Sequence, residues 1–281
     1  MSDLHNPLIR SLLFVPGSMS DRFSKADNAG ADLICIDLED AVLPEDKDSA
    51  RLSALHYIKN NNSNICIRIN PIDSWLGQQD LVAITKASPA YVMLAKCRSF
   101  EHVSMAAKAL GPKTKIIALI ETLDGLEQAY QIATGSDKVV ALMFGGADIS
   151  ASLRCEYSYQ PLLLARSQLV MAAAKANIDV IDAPYIDIKN KTGLIEETQN
   201  VRNLGFTGKA AIHPEQIPSI HQSFIPSNDQ VAFAESVMNA VDGPDAGVVV
   251  VNGKMVDRPI ILASQRTLAL AQVALAKSTT N

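Results

Sequence analysis

Two carboxylates, Glu121 and Asp148, each close a run of residues that reads as a buried strand. The first run is Lys115-Ile116-Ile117-Ala118-Leu119-Ile120, and the second begins Val139-Val140-Ala141-Leu142-Met143-Phe144. An unpaired carboxylate buried in such a place is costly, so each requires a partner. In an α/β barrel the carboxy-terminal ends of the strands meet on one face, where ligands bind. Two acids on that face are candidate ligands for a hard divalent cation, magnesium first and manganese second. A competing reading makes them helix caps, since Asp148 stands just before Ile149-Ser150, where an N-cap would sit. Gly145 and Gly146 permit close backbone approach, so N–H groups around Gly146 and Ala147 are candidates to hold a substrate carboxylate.

Other strand ends deliver further polar residues. Asp37-Leu38-Glu39-Asp40, Arg68-Ile69-Asn70, Lys96, Asp182 and His213 each follow an apolar run. Arg68 interrupts Ile65-Cys66-Ile67 and Ile69, so it must pair with acids, and the Asp37 to Asp40 cluster is available. It is either a buried ion pair that fixes neighbouring strands or an always-charged donor that stabilises an oxyanion, and the two roles are compatible. Beyond the first run, Phe14-Val15-Pro16-Gly17 leads to Arg22 and Lys25, two cations three residues apart on a short helix. They form either a solvated face or a contact for the phosphates of an anionic cofactor. His213 reads more simply as a hydrogen-bonded structural residue than as a ligand or base.

Positioning these residues falls to elements that alternate along the chain. Apolar runs at 11–15, 32–37, 65–69, 91–95, 115–120, 139–144, 179–182 and 209–212 are continuous, the pattern of parallel strands covered on both sides. Helical periodicity fills the intervals, for example 47–59, 101–110 and 162–176. Eight such repeats predict a TIM (β/α)8 barrel, and the absence of G-x-G-x-x-G after the first strand lowers the case for a dinucleotide-binding sheet. The expected division is a barrel over 1–225 and a carboxy-terminal extension over 226–281. After the eighth run, 214–224 and 229–241 read as helices, and Asp242-Gly243-Pro244-Asp245-Ala246-Gly247 reads as a turn. Val248 to Val251 followed by Asn252-Gly253 predicts half of a hairpin, and a helix over 259–277 ends the chain.

Composition narrows the function classes. The 281 residues carry a formal net charge of −5, and the lysines and arginines are scattered, which argues against a nucleic-acid binder. Cys35, Cys66, Cys97 and Cys155 match no metal-site spacing and read as small buried hydrophobes in a reducing compartment. The amino terminus shows no signal-peptide pattern, and no apolar run reaches the ~20 residues that span a bilayer, so a cytoplasmic enzyme is expected.

Four motifs in order carry a resemblance: Arg10-Ser11-Leu12-Leu13-Phe14-Val15-Pro16-Gly17, Ile36-Asp37-Leu38-Glu39-Asp40-Ala41-Val42, Arg68-Ile69-Asn70, and Gly205-Phe206-Thr207-Gly208-Lys209-Ala210-Ala211-Ile212-His213-Pro214. Over residues 10 to 277 the chain resembles the citrate lyase β-subunit-like family of the HpcH/HpaI aldolase superfamily, whose relatives include citramalyl-CoA and malyl-CoA lyases. The resemblance implies a TIM barrel with magnesium held by Glu121 and Asp148, a catalytic Arg68, and coenzyme A as part of the substrate. It also implies a homotrimer in which a segment matching Asn252-Gly253-Lys254-Met255-Val256-Asp257-Arg258-Pro259 covers a neighbour's active site and supplies Asp257 as acid–base. The implied reaction is retro-Claisen cleavage of a 3-hydroxy-acyl-CoA to a 2-oxo acid and acetyl-CoA, with citramalyl-CoA first and malyl-CoA second. Phe14, Arg22 and Lys25 would contact the CoA portion. One departure is Ala147, where many family members carry an acid, and it bears on substrate selection. Alternatives are a citrate lyase subunit acting on citryl-acyl-carrier protein, a pyruvate aldolase without CoA, and a barrel kept only for binding or regulation.

Overall fold

The structure, a computed structural model, describes residues 9–61, 64–241 and 248–278. The chain divides into two compact units, Met1–His221 and Gln222–Asn281.

In the first unit eight parallel strands close into a barrel in chain order. They are β1 (Ser11–Pro16), β2 (Leu33–Asp37), β3 (Ile65–Ile69), β4 (Tyr91–Leu94), β5 (Lys115–Ile120), β6 (Val139–Phe144), β7 (Asp179–Asp182) and β8 (Gly208–Ala211). Between them lie α1 (Phe23–Asp27), α2 (Lys47–Asn60), α3 (Trp75–Ala87), α4 (Phe100–Ala109), α5 (Leu123–Glu127), α6 (Ala129–Ala133), α7 (Gly146–Leu153), α8 (Leu163–Ala176) and α9 (Lys191–Leu204). After β8 comes α10 (Ile217–Phe224). This is the expected TIM barrel, with each strand within two residues of its predicted place.

Strand side chains alternate between two faces, and both are buried here. Leu33 and Cys35 of β2, Cys66 of β3, Tyr91 and Met93 of β4, Ile117 and Leu119 of β5, and Ala141 and Met143 of β6 share one core inside the barrel. The intervening Ile34, Ile36, Ile67, Val92 and Ala118 are equally buried and belong to the helix-facing side. Two-sided burial is the physical reason that the runs in the sequence are unbroken rather than alternating. Period two then fixes what lies above the core. Asp37 stands two residues past Cys35, Arg68 two past Cys66, and Glu121 two past Leu119, so all three cap the inward-facing columns at the carboxy-terminal end.

The helices that hold this frame have identifiable ends. Ser74 caps α3, its hydroxyl accepting from the Gly77 N–H at 3.0 Å, and Ser88 ends the helix in the left-handed region. Gly77 has no alternative, since a Cβ there would lie 2.0 Å from the Pro71 carbonyl oxygen.

The second unit contains α11 (Asn228–Ala240), a two-stranded hairpin of β9 (Val249–Val251) and β10 (Lys254–Val256), and α12 (Arg258–Ser278). Ser227 and Gln230 form a capping box that starts α11. Asn252 and Gly253 both have positive φ, at 50° and 74°, which is the two-residue turn that Asn-Gly predicts. Val237, Val251, Val256 and Ile261 form this unit's small core. The turn expected over 242–247 lies outside the described residues. Among the described residues no helix is long and apolar enough to cross a membrane.

Candidate active site

Arg68 and Asp37 are directly paired in the register of β3 and β2. Arg68 donates from Nε to Asp37 Oδ1 at 2.7 Å and from Nη2 to Oδ2 at 2.5 Å. Asp37 accepts two more hydrogen bonds, from the Glu39 and Ala41 N–H groups at 2.8 and 3.1 Å. The guanidinium lies over the Phe14 ring, 5.1 Å from its centroid. Burial alone would lower the Arg68 pKa, but the hydrogen bonds and charge of Asp37 outweigh it, so the cation is secured. Its third nitrogen, Nη1, makes no hydrogen bond among the described residues and sits 3.3 Å from Glu39 Oε2. One planar fork thus has one edge clamped and one nitrogen left to donate.

Glu121 is 3% exposed, and its Oε1 accepts from the Lys96 N–H at 2.7 Å. Burial pushes its pKa up to about 8, with the charges of Glu39 and Asp148 acting in the same direction and Arg68 and the Lys96 N–H opposing. Gly145 packs onto it so closely that a Cβ at 145 would stand 2.2 Å from the Glu121 Cβ and 3.0 Å from Oε2. Neither acid is a helix cap, which corrects that competing reading. Thr122 caps α5 through the Gly125 N–H. At α7 the cap position is Gly145, and Asp148 is the third helical residue, half-buried in the first turn. This helix of eight residues, capped at Gly145 and beginning at Gly146, has the Asp148 carboxylate at the positive end of its dipole. Gly146 is buried behind it, a Cβ there meeting Tyr157 and Phe144, and Ala147 is exposed.

Lys96, just past β4, completes the cluster. Its ammonium donates to Glu39 Oε1 and lies 3.4 Å from Asp40 Oδ1. Among the described residues no three His, Cys, Asp or Glu side chains are grouped to hold a metal. Glu121 and Asp148, near enough for the charge of Asp148 to raise the Glu121 pKa, are the candidate donors, and two carboxylates suit a cation that keeps water and takes its remaining ligands from substrate.

Several polar strand ends leave the site. Ile181 lies in the barrel core, so Asp182 points to the helix side, where it accepts from Arg166 Nε at 2.8 Å and Lys209 Nζ at 2.6 Å. His213 caps the turn Pro214–Gln216, its Nδ1 accepting from the Glu215 N–H at 3.3 Å, as a structural histidine. Arg22 and Lys25 are exposed on the segment after β1, one ending a 3-10 turn and the other in α1. Asp257 belongs to the second unit, half-buried between β10 and α12, its carbonyl accepting from the Ile261 N–H at 3.0 Å. The structure thus gathers Phe14, Arg68, Glu121 and, through its charge on Glu121, Asp148. The sequence offers the Asp37 to Asp40 cluster as the partner of Arg68 without choosing within it, and it marks Lys96 as a strand-end residue without a role. The available signal was a lone cation directly after Tyr91-Val92-Met93-Leu94-Ala95.

Residues 10–214 match the family described as HpcH/HpaI aldolase/citrate lyase. The citrate lyase subunit beta of Haemophilus influenzae is 35% identical, with 94% of this chain and 97% of that protein covered. The mitochondrial citramalyl-CoA lyase of Homo sapiens is 29% identical, with 93% and 85% covered. The CitE protein of Mycobacterium tuberculosis, solved with magnesium, acetoacetate and coenzyme A, is 30% identical with a TM-score of 0.82 over 94% of this chain and 98% of that one. With the barrel, the order of its motifs and most of its length in common with these proteins, the chain belongs to the HpcH/HpaI aldolase/citrate lyase family.

Proposed function

We propose that this protein is a magnesium-dependent carbon–carbon lyase that cleaves a 3-hydroxy-acyl-CoA, citramalyl-CoA first, to a 2-oxo acid and acetyl-CoA. The observation that carries the reading is Arg68: Asp37 clamps two of its nitrogens and leaves Nη1 to donate beside Glu121. A donor held that way is suited to an oxygen that gains charge during reaction.

Glu121 and Asp148 would hold the magnesium. The donor chemistry fits, since a buried carboxylate with its pKa raised to about 8 gains most from a cation beside it. When bound, the ion supplies Lewis-acid charge that orients the substrate's carboxylate and hydroxyl and makes the hydroxyl more acidic. The Arg68 Nη1 donates to the thioester oxygen as the carbon–carbon bond breaks and its electron pair becomes the enolate. Asp257 of a neighbouring subunit takes the proton the hydroxyl loses and passes it to the enolate carbon, so no proton is gained or lost overall. Arg22 and Lys25, exposed beside the mouth of β1, hold CoA phosphates, and Phe14 keeps the guanidinium in plane. Gly146 and Ala147 border the substrate carboxylate.

A shared site is supported by apolar surface at both ends of the proposed contact. Trp75, Phe100 and Leu123 open α3, α4 and α5 on the face where the strands end, and are 76%, 45% and 44% exposed. On the hairpin, Val250 and Met255 are 73% and 64% exposed. A homotrimer in which each hairpin covers a neighbour's barrel would bury both sets.

A second reading, a citrate lyase β-subunit acting on a citryl-acyl-carrier protein, is favoured by the higher identity to the Haemophilus influenzae protein. Ala147 bears on this choice, since it leaves out a charge next to the substrate carboxylate. The test is cleavage of citramalyl-CoA, malyl-CoA and citryl-CoA, followed through the 2-oxo acid released and read as its phenylhydrazone. Citramalyl-CoA is expected to turn over fastest with magnesium, and activity is expected to vanish with EDTA and in Glu121→Ala. Full turnover with EDTA present would sink the metal role, and cleavage of citryl-CoA alone would move the assignment to the second reading.

A further inference from the structure

Lys96 is one of five described residues other than glycine with positive φ, at 48°, and it stands at the end of a barrel strand. A left-handed backbone costs a lysine free energy, and such costs persist where the surroundings impose them. Here the turn delivers two things at once. The Lys96 N–H is aimed at Glu121 Oε1, and the ammonium is aimed at Glu39 Oε1.

The second contact decides what Arg68 can do. Asp37 is saturated by four donors and cannot take Nη1 as well. The carboxylate that can is Glu39. It is 4% exposed, its Oε2 has no hydrogen-bond partner among the described residues, and that oxygen lies 3.3 Å from Nη1 without the geometry of a hydrogen bond. The Glu39 backbone is fixed, since its N–H donates to Asp37 and its carbonyl accepts from Lys47 Nζ at 2.6 Å. Only its side chain can turn. The Lys96 ammonium holds the other oxygen, Oε1.

We propose that Lys96 is a positioning residue that keeps Glu39 from capturing Arg68 Nη1, so that this donor stays available for the enolate oxygen. The inference rests on the reading of Arg68 given above. Without the ammonium, Glu39 rotates onto Nη1, and the guanidinium loses the donor that reaction needs while keeping its charge and its clamp on Asp37. The same residue joins the two halves of the site, because its backbone also orients Glu121.

The test uses Lys96→Met, which keeps a Cβ and an N–H but removes the charge. The readout is deuterium wash-in to the methyl group of acetyl-CoA in D2O with magnesium and pyruvate, which reports enolate formation. Loss of one oxyanion donor predicts a fall of at least ~10-fold in Lys96→Met. Adding Glu39→Gln removes the competing anion, and the double variant is expected to recover most of the rate, a coupling that a general structural defect would not produce. Mn2+ affinity, measured by titration without substrate, is expected to be no weaker in Lys96→Met, which establishes that Glu121 and Asp148 remain in place. Exchange in Lys96→Met at the wild-type rate, or a double variant no faster than the single, would overturn the inference while leaving the lyase reading intact. Wild-type protein that binds Mn2+ yet exchanges no deuterium would overturn both.

Discussion

Glu121 is the residue on which the chemistry turns, because the barrel buries its carboxylate and gives it one N–H at 2.7 Å instead of a cation. Burial raises its pKa from 4.5 to about 8. The sign of the consequence follows from proton counting. Between those two values the folded, metal-free protein holds a proton that the unfolded chain has released, so this group's contribution to stability is complete below 4.5 and is lost as pH rises through about 8. A divalent cation must displace that proton. Affinity for Mn2+ should therefore climb roughly tenfold per pH unit below the folded pKa and level off above it. Titrations at several pH values across that range check this, and a flat affinity would contradict it. The acids themselves were legible in the sequence, because a charge that ends an apolar run is conspicuous. Their direction was not. Whether Glu121 faces the barrel interior depends on strand register to one residue, and a slip of one would have sent it to the helices. The left-handed turn at Lys96 left no mark in the sequence at all, since it is imposed by what the backbone meets.

At the scale of elements, the same register rule separates catalysis from structure. Asp37, Arg68 and Glu121 fall on inward positions, whereas Asp182 and Lys209, one step out of phase, fall on the helix side. There Asp182 is fully buried between Arg166 and Lys209, and the Lys209 ammonium also donates to the Ala183 carbonyl at 2.7 Å and to Glu197 at 2.8 Å. Burial would raise the Asp182 pKa, and the two cations reverse this and hold it low. The cluster ties β7 and β8 to α8 and α9, next to the strands that close the barrel. Replacing Asp182 by Ala leaves two buried cations facing each other, and a loss of about 3–5 kcal/mol is expected from urea unfolding. A loss under ~1 kcal/mol would mean that the cluster does not bind the barrel's last strands to its helices. The strands were legible to within two residues because two-sided burial writes itself as unbroken apolar runs. The short helices α5 and α6 were not, since five residues carry too little periodicity to distinguish them from a loop.

The whole molecule joins a barrel that carries Arg68, Glu121 and Asp148 to a second unit that carries Asp257. The hairpin of that unit was readable from Asn252-Gly253, a turn whose backbone demands those residue types, and the resemblance to a family gave Asp257 its role. Which barrel the hairpin serves is written in neither. The central claim is that cleavage requires Arg68 from one chain and Asp257 from another, and mixing variants tests it most directly. Arg68→Ala and Asp257→Ala are each expected to be nearly inactive towards citramalyl-CoA. After equimolar mixing and subunit exchange in a cyclic trimer, about a quarter of the sites combine an intact Arg68 with a neighbour's intact Asp257, so turnover should return to roughly that fraction of wild type. No recovery, with subunit exchange demonstrated by mass spectrometry, would contradict the shared site.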